Sequence, residues 1–207
     1  MGLFLFLPAW SFKFWQAWIY LFIFGTASLL ITFFLMKKDM ELLQRRLKAG
    51  PGAEKEKSQK FIQAVASISF ISILVVPAFD HRFGWSNVPV YLVIAANVFV
   101  ATGFFIVFLV FKENSYTSAI IETATGQVVV STGPYAVIRH PMYSGALLML
   151  LFTPIALGSF WGLLAFIPMV IAIRWRLLDE EKYLSENLPG YIDYCKKTVY
   201  RLIPAIW

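Results

Sequence analysis

Long apolar stretches without a single charge constrain this chain more than any other feature. Residues Phe14–Met36, Phe61–Phe79 and Val88–Phe111 each run for about one bilayer thickness with no Asp, Glu, Lys or Arg. A bilayer core is about 30 Å thick and a helix rises about 1.5 Å per residue, so roughly 20 apolar residues make one span. A fourth apolar block, Tyr143–Trp175, would be about 50 Å long as one helix, too long for one crossing. Its middle, Thr153-Pro154-Ile155-Ala156-Leu157-Gly158-Ser159, combines a helix breaker with a small-residue turn. It reads as a tight hairpin of two slightly short helices. The expected fold class is therefore an all-α integral membrane protein with five transmembrane helices, the last two paired as that hairpin. It forms one domain over 1–207, with three N-terminal spans in 1–111 and a functional core in 112–207.

Composition agrees. Hydrophobic residues make up 59% of the 207, and only 14% are charged, against about 25% in an ordinary soluble domain. This excludes a disordered chain, a disulfide scaffold and a soluble globule. The net charge of +6 is read by position. The segment Lys37–Lys60 carries eight basic residues, Lys112–Met142 two, and the tail from Arg174 six. The opposite side has only Lys13 and Arg82. The positive-inside rule then sets the N-terminus outside and these three segments in the cytoplasm. An odd number of spans requires the same arrangement of the termini. The excess is an orientation signal and not a sign of nucleic acid. The N-terminus lacks a basic n-region and a cleavage signal, and Trp10, Trp15 and Trp18 suit an interfacial belt. One cysteine, Cys195, and two histidines leave no metal cluster, and no Gly-rich nucleotide loop is present.

The polar segments carry the chemistry. Met40, Leu42, Leu43 and Leu47 alternate with Arg45, Arg46 and Lys48, the pattern of a short amphipathic helix on the inner leaflet, ended by Gly50-Pro51-Gly52. After the third span comes a β-like run, Gln127, Val128, Val129 and Val130. Then follow a Gly133-Pro134 turn, Tyr135, and Arg139-His140-Pro141-Met142-Tyr143, where the chain returns to the membrane. Pro141 suits the first turn of a helix. Arg139 can snorkel to headgroups, whereas a neutral His140 offers one donor and one acceptor to a polar ligand. Beyond the hairpin, Arg176 and Glu180 are four apart and share a helical face. Glu180 and Glu181 stand just outside a membrane helix, where carboxylates need a partner or a cationic ligand. The apolar tail, Tyr200 to Trp207, is expected to fold back over the membrane face.

Gly133-Pro134-Tyr135, Arg139-His140-Pro141-Met142-Tyr143, Glu180-Glu181 and Arg201-Leu202-Ile203-Pro204, in this order, resemble the isoprenylcysteine carboxyl methyltransferase family. The wider group includes phospholipid N-methyltransferases. Gly50-Pro51-Gly52 and Asp80-His81-Arg82-Phe83-Gly84-Trp85 resemble its bacterial branch, which implies a bacterial inner membrane. The resemblance covers 114–207. It implies S-adenosyl-L-methionine (SAM) as cofactor, in a cytoplasmic pocket between the return loop, the hairpin and the tail. It implies that Gln127, Val128, Val129 and Val130 line the cofactor through backbone groups. Tyr135, His140, Pro141, Tyr143 and Glu180 would complete the cofactor site. Arg176 would face the methyl acceptor, with Arg139 and Glu181 as further candidate catalytic charges. Gln127 stands where the eukaryotic carboxyl methyltransferases have a histidine.

Methyl transfer is an in-line displacement, accelerated mainly by positioning in a dry pocket. Paired donors of Arg176 would suit a carboxylate acceptor, which favours a lipophilic carboxylate drawn from the bilayer over a phospholipid amine. Two other classes compete. An NADPH-dependent membrane lipid reductase would need further basic groups and normally more spans. A scaffold or transporter would not place Arg, His and paired Glu at the membrane edge.

Overall fold

The computed structural model describes residues 1–54 and 56–207. Lys55, counted above with the basic residues of Lys37–Lys60, lies outside the described residues. The described residues form α1 (Gly2–Ala9), α2 (Trp15–Lys38), α3 (Met40–Leu47), α4 (Lys57–Phe83), α5 (Val90–Glu113), α6 (Pro141–Ala156), α7 (Phe166–Asn187) and α8 (Tyr191–Lys197). No strand occurs among them. Gln127 to Val130, expected to be β-like, is an open segment without a ladder partner.

Four helices are long and apolar enough to cross a membrane: α2, α4, α5, and α7 together with the single turn before it, Trp161–Asn187. Five were expected. The fifth, α6, is shorter: its 16 residues reach only about 24 Å, though it runs from His140 at one end to Ser159, bonded to Asp80, at the other. Proline sets its start. Pro141 occupies the first helical position, where its missing N–H costs nothing, and the residues before it are spent on the return loop. The turn after α6 falls where the breaker residues put it, and α6 and α7 meet around Leu150, Met169 and Ile173. The main neighbour of α6 is α5, and that of α7 is α4.

Small residues explain the α5–α6 pairing. A Cβ on Gly103 would lie 2.6 Å from the Gly145 carbonyl oxygen, and one on Gly145 would lie 2.9 Å from the Gly103 carbonyl oxygen. Each glycine lets the facing backbone approach, the usual device for close helix packing in lipid.

Successive passes alternate in direction, so polar groups gather at two ends. At one end Asp80 accepts from Ser86 N and Oγ, each at 2.6 Å, and from Ser159 Oγ. Phe14 stacks on His81 there. The apolar core of this end joins Leu5 and Ala9 of α1 to Phe14, Tyr20, Leu74, Ala78, Val100 and Leu157. The helix α1 is an element the sequence reading left as an apolar N-terminus. At the other end α3 has formed as its pattern required. Asp39 caps it by accepting from Leu42 N at 2.9 Å, and Arg45 and Arg46 donate to the carbonyls of Ser115 and Ser118. This end carries the candidate site. Exposed apolar side chains along the helices, among them Phe22, Leu30, Ile68, Phe105 and Ile171, are the surface of a protein whose solvent is lipid.

Candidate active site

The return loop is anchored before it reaches α6. Asn114 donates to the Tyr135 hydroxyl at 3.1 Å and accepts from Tyr116 N at 2.9 Å. Gly133 has φ +56, and a Cβ there would meet the Glu113 carboxyl at 2.9 Å. Only glycine permits that turn without strain. Thr132 is bonded to the same Glu113 side chain. From the tail, the Tyr194 hydroxyl donates to the Tyr135 carbonyl at 2.8 Å. Arg139 N and His140 N donate to the carbonyls of Tyr200 and Arg201, both at 2.9 Å. The tail therefore packs on the return loop and fixes it. Burial pushes the Tyr135 phenol well above its ordinary pKa, and the Tyr194 phenol up to about 12, so both stay protonated donors in the ordinary range.

Glu181 is the hub of the charges here. Its Oε1 lies 2.9 Å from Arg139 Nε and 3.2 Å from His140 Nε2, and its Oε2 accepts from Arg201 Nε at 2.8 Å. The Arg139 and His140 side chains are 9% and 6% exposed. One turn into α6, the Tyr143 hydroxyl donates to Glu180 Oε2 at 2.6 Å and accepts from Arg176 Nε at 3.2 Å. Arg176 and Glu180, expected to share a face, are thus joined through Tyr143.

Arg176 does not stand free. Its Nη1 donates to Glu54 at 2.7 Å and to Gln59 at 3.0 Å, and its Nη2 to the Ala119 carbonyl at 2.8 Å. Gln59 continues the chain to Asp179 at 2.6 Å. With Glu54 beside it, four of the five guanidinium donors are taken and the charge is balanced. The paired donors expected to face an acceptor carboxylate are engaged within the protein in this structure. Arg176 orients Tyr143 and ties the segment after α3 to α7.

These groups line a cavity of about 640 Å³. Its upper wall is polar, and its lower wall is apolar, with Leu35, Val107, Met149 and Ile173 from four helices. Of the twelve site residues drawn from the sequence, eleven line it: Gln127, Val128, Val129, Val130, Tyr135, Arg139, His140, Pro141, Tyr143, Arg176 and Glu180. Glu181 is not on the wall; it holds Arg139 and His140 in place from behind.

Sequence reasoning missed three positions of the candidate site. Glu54, 5% exposed, neutralises Arg176. Its signal was an acidic residue next to the Gly-Pro-Gly turn in a basic segment. Tyr191, 4% exposed, lines the cavity with a hydroxyl that has no partner among the described residues. Arg46 lines the same cavity from α3. Its signal was weak, because a basic residue on an amphipathic helix ordinarily faces headgroups.

Fold and site together define an all-helical protein with membrane-length apolar helices and one cavity shared between polar loops and the apolar interior. Residues 91–189, just under half of the chain, match the family described as phospholipid methyltransferase. The match spans α5, the return loop, α6 and α7, the elements that build most of the cavity. A part of the chain is also 30% identical over 92 residues to the Delta(14)-sterol reductase TM7SF2 of Mus musculus, covering 42% of this chain. The chain spans 22% of the length of that relative. The segment is thus similar at the coarse level to a membrane methyltransferase domain.

Proposed function

We propose that the protein is a SAM-dependent methyltransferase that acts on a lipophilic acceptor from the bilayer, with its polar end in the cytoplasm. One observation carries this reading: eleven candidate residues, drawn from three separate stretches of sequence, line one cavity that also reaches the apolar interior. The volume falls within the range of small-molecule sites, about 300–1,000 Å³.

The residues present fit the cofactor. SAM offers an ammonium, a carboxylate, ribose hydroxyls and an adenine, and when bound it supplies a methyl group activated on a sulfonium. Glu180 is a wall carboxylate without a cation partner among the described residues, and would take the ammonium. The unpartnered Tyr191 hydroxyl and His140 would meet hydroxyls. The open segment from Gln127 to Val130 has backbone groups to spare. The Tyr135 and Tyr143 rings close the polar half, and the apolar lower wall would exclude water and accept a lipid tail.

The pairing of Arg176 with Glu54 removes the reason for preferring a carboxylate acceptor. The phospholipid methyltransferase match favours a lipid amine headgroup instead. Labelled SAM incubated with the protein and a membrane extract is expected to give a labelled lipid whose methyl group survives mild alkali. An alkali-labile methyl ester would restore the carboxylate reading. No transfer, with no SAM binding by calorimetry, would overturn the function. The sterol reductase match favours a second reading, a lipid reductase using NADPH; tight NADPH binding without SAM binding would establish it.

A further inference from the structure

Arg46 differs from the other buried or half-buried arginines of the polar end. Arg139 and Arg201 are paired with Glu181, and Arg176 with Glu54. Arg46 has no carboxylate partner among the described residues. Its Nη1 donates to the Ser118 carbonyl at 2.7 Å, and its guanidinium carbon sits 5.5 Å from the centre of the Phe111 ring. A carbonyl and an aromatic face orient a guanidinium but do not neutralise it. The Arg46 Nε and Nη2 make no hydrogen bond among the described residues, and the residue lines the cavity. Headgroup snorkelling would place this side chain on the outer surface of α3. It instead turns inward, between the return loop and the end of α5.

A desolvated cation with spare donors is costly without an anion. Burial pushes the Arg46 guanidinium down from its ordinary pKa, and the Tyr143 and Glu180 side chains act on it in the opposite direction. Glu180 lines the same cavity as Arg46 and, like Glu122, which is bonded to Ser118, has no cation partner among the described residues. The cavity wall thus carries unpaired charges of both signs among the described residues.

We propose that Arg46 is the anion-binding residue of this cavity and that, with Glu180, it selects a ligand carrying an ammonium and a carboxylate or phosphate a few atoms apart. This deepens the methyltransferase reading and rests on it. Two sources have this chemistry: the methionine end of the cofactor, and the headgroup of a zwitterionic phospholipid. In either case the guanidinium binds through paired, charge-assisted hydrogen bonds.

Calorimetry on the full chain in detergent tests this with three probes: S-adenosylhomocysteine, 5′-methylthioadenosine, which lacks the amino-acid end, and dihexanoylphosphatidylethanolamine. If the cofactor carries the anion, Arg46→Gln weakens S-adenosylhomocysteine about tenfold or more. Arg46→Lys recovers part of the loss, and methylthioadenosine binds as before, which also reports an intact fold. If the lipid carries it, S-adenosylhomocysteine is unaffected and the phospholipid weakens by a similar factor. Unchanged binding of all three probes to Arg46→Gln overturns the proposal. A wild-type chain that binds neither nucleoside probe overturns the methyltransferase reading instead, and the phospholipid arm then decides Arg46. A chain that binds none of the three overturns both.

Discussion

Glu181 meets cations from three places in the sequence: Arg139 and His140 at the start of α6, and Arg201 in the tail. Its removal strands Arg139, whose side chain is 9% exposed. Breaking a buried pair from one side costs about 3–5 kcal/mol. Glu181→Gln is therefore expected to lower the thermal unfolding midpoint in detergent clearly, and to weaken ligand binding through displacement of His140. An unchanged midpoint would show that the cluster is not a structural hub. Glu54 and Arg176 call for a double-mutant cycle. Glu54→Gln and Arg176→Met are each expected to destabilise, and the double variant to lose less than their sum, with a coupling of about 0.5–3 kcal/mol. Simple additivity would remove Glu54 as the partner. At this scale the residue types were legible in sequence and the partners were not. Arg176 and Glu180 lie four apart, which suggests a direct pair, yet Tyr143 from another helix stands between them and Glu54, far upstream, takes the charge.

Among the elements, α6 decides where the site lies. It is short, it starts at a proline, and its contact with α5 rests on Gly103 and Gly145. Gly145→Ala puts a methyl group against the Gly103 carbonyl and Ile106. Overpacking of this kind costs about 1–3 kcal/mol. A lower unfolding midpoint and weaker ligand binding are expected together, because Pro141 and Tyr143 ride on the same helix. Equal stability would mean that the two helices separate without penalty. The tail helix α8 gives a pH test. The folded pKa of Tyr194 is raised to about 12, against the ordinary value near 10. A raised folded pKa favours the neutral form in the folded state, so its contribution is full below pH about 10 and is lost as pH climbs towards 12. Tyrosinate absorbance and hydrogen exchange of the tail should change together over that interval, and Tyr194→Phe should reduce both. The spans α2, α4 and α5 were legible because a charge-free run of bilayer length has few other folds. The length of α6 was not, because apolarity continues past its C-terminal end and cannot show where α7 begins.

For the molecule as a whole, 16 of the 18 basic residues belong to sequence segments on one side of the spans, and Lys13 and Arg82 to the other. If the cytoplasmic rule holds, a Ser11→Cys variant in a Cys195→Ser background is labelled from outside intact cells by an impermeant thiol reagent. Lys197→Cys in the same background is labelled only after permeabilisation. The reverse pattern would invert the orientation and put the cavity on the side without SAM. The alternating helix directions gather four distant stretches, around Arg46, Gln127, His140 and Glu180, at one end, and this convergence makes them a site.

The sequence by itself determined that the chain enters a membrane, roughly where it crosses, which end is polar, and which residue types stand there. Hydropathy and charge act locally and leave their pattern in the order of residues. Only the tertiary structure decided that α6 is a short pass packed on α5, that Glu181 is a clamp behind the wall, that Glu54 satisfies Arg176, and that Arg46 is left to face the cavity. Those outcomes depend on which helices meet and at what depth. Close packing and the pairing of buried charges set that, over separations in the chain that no local pattern records.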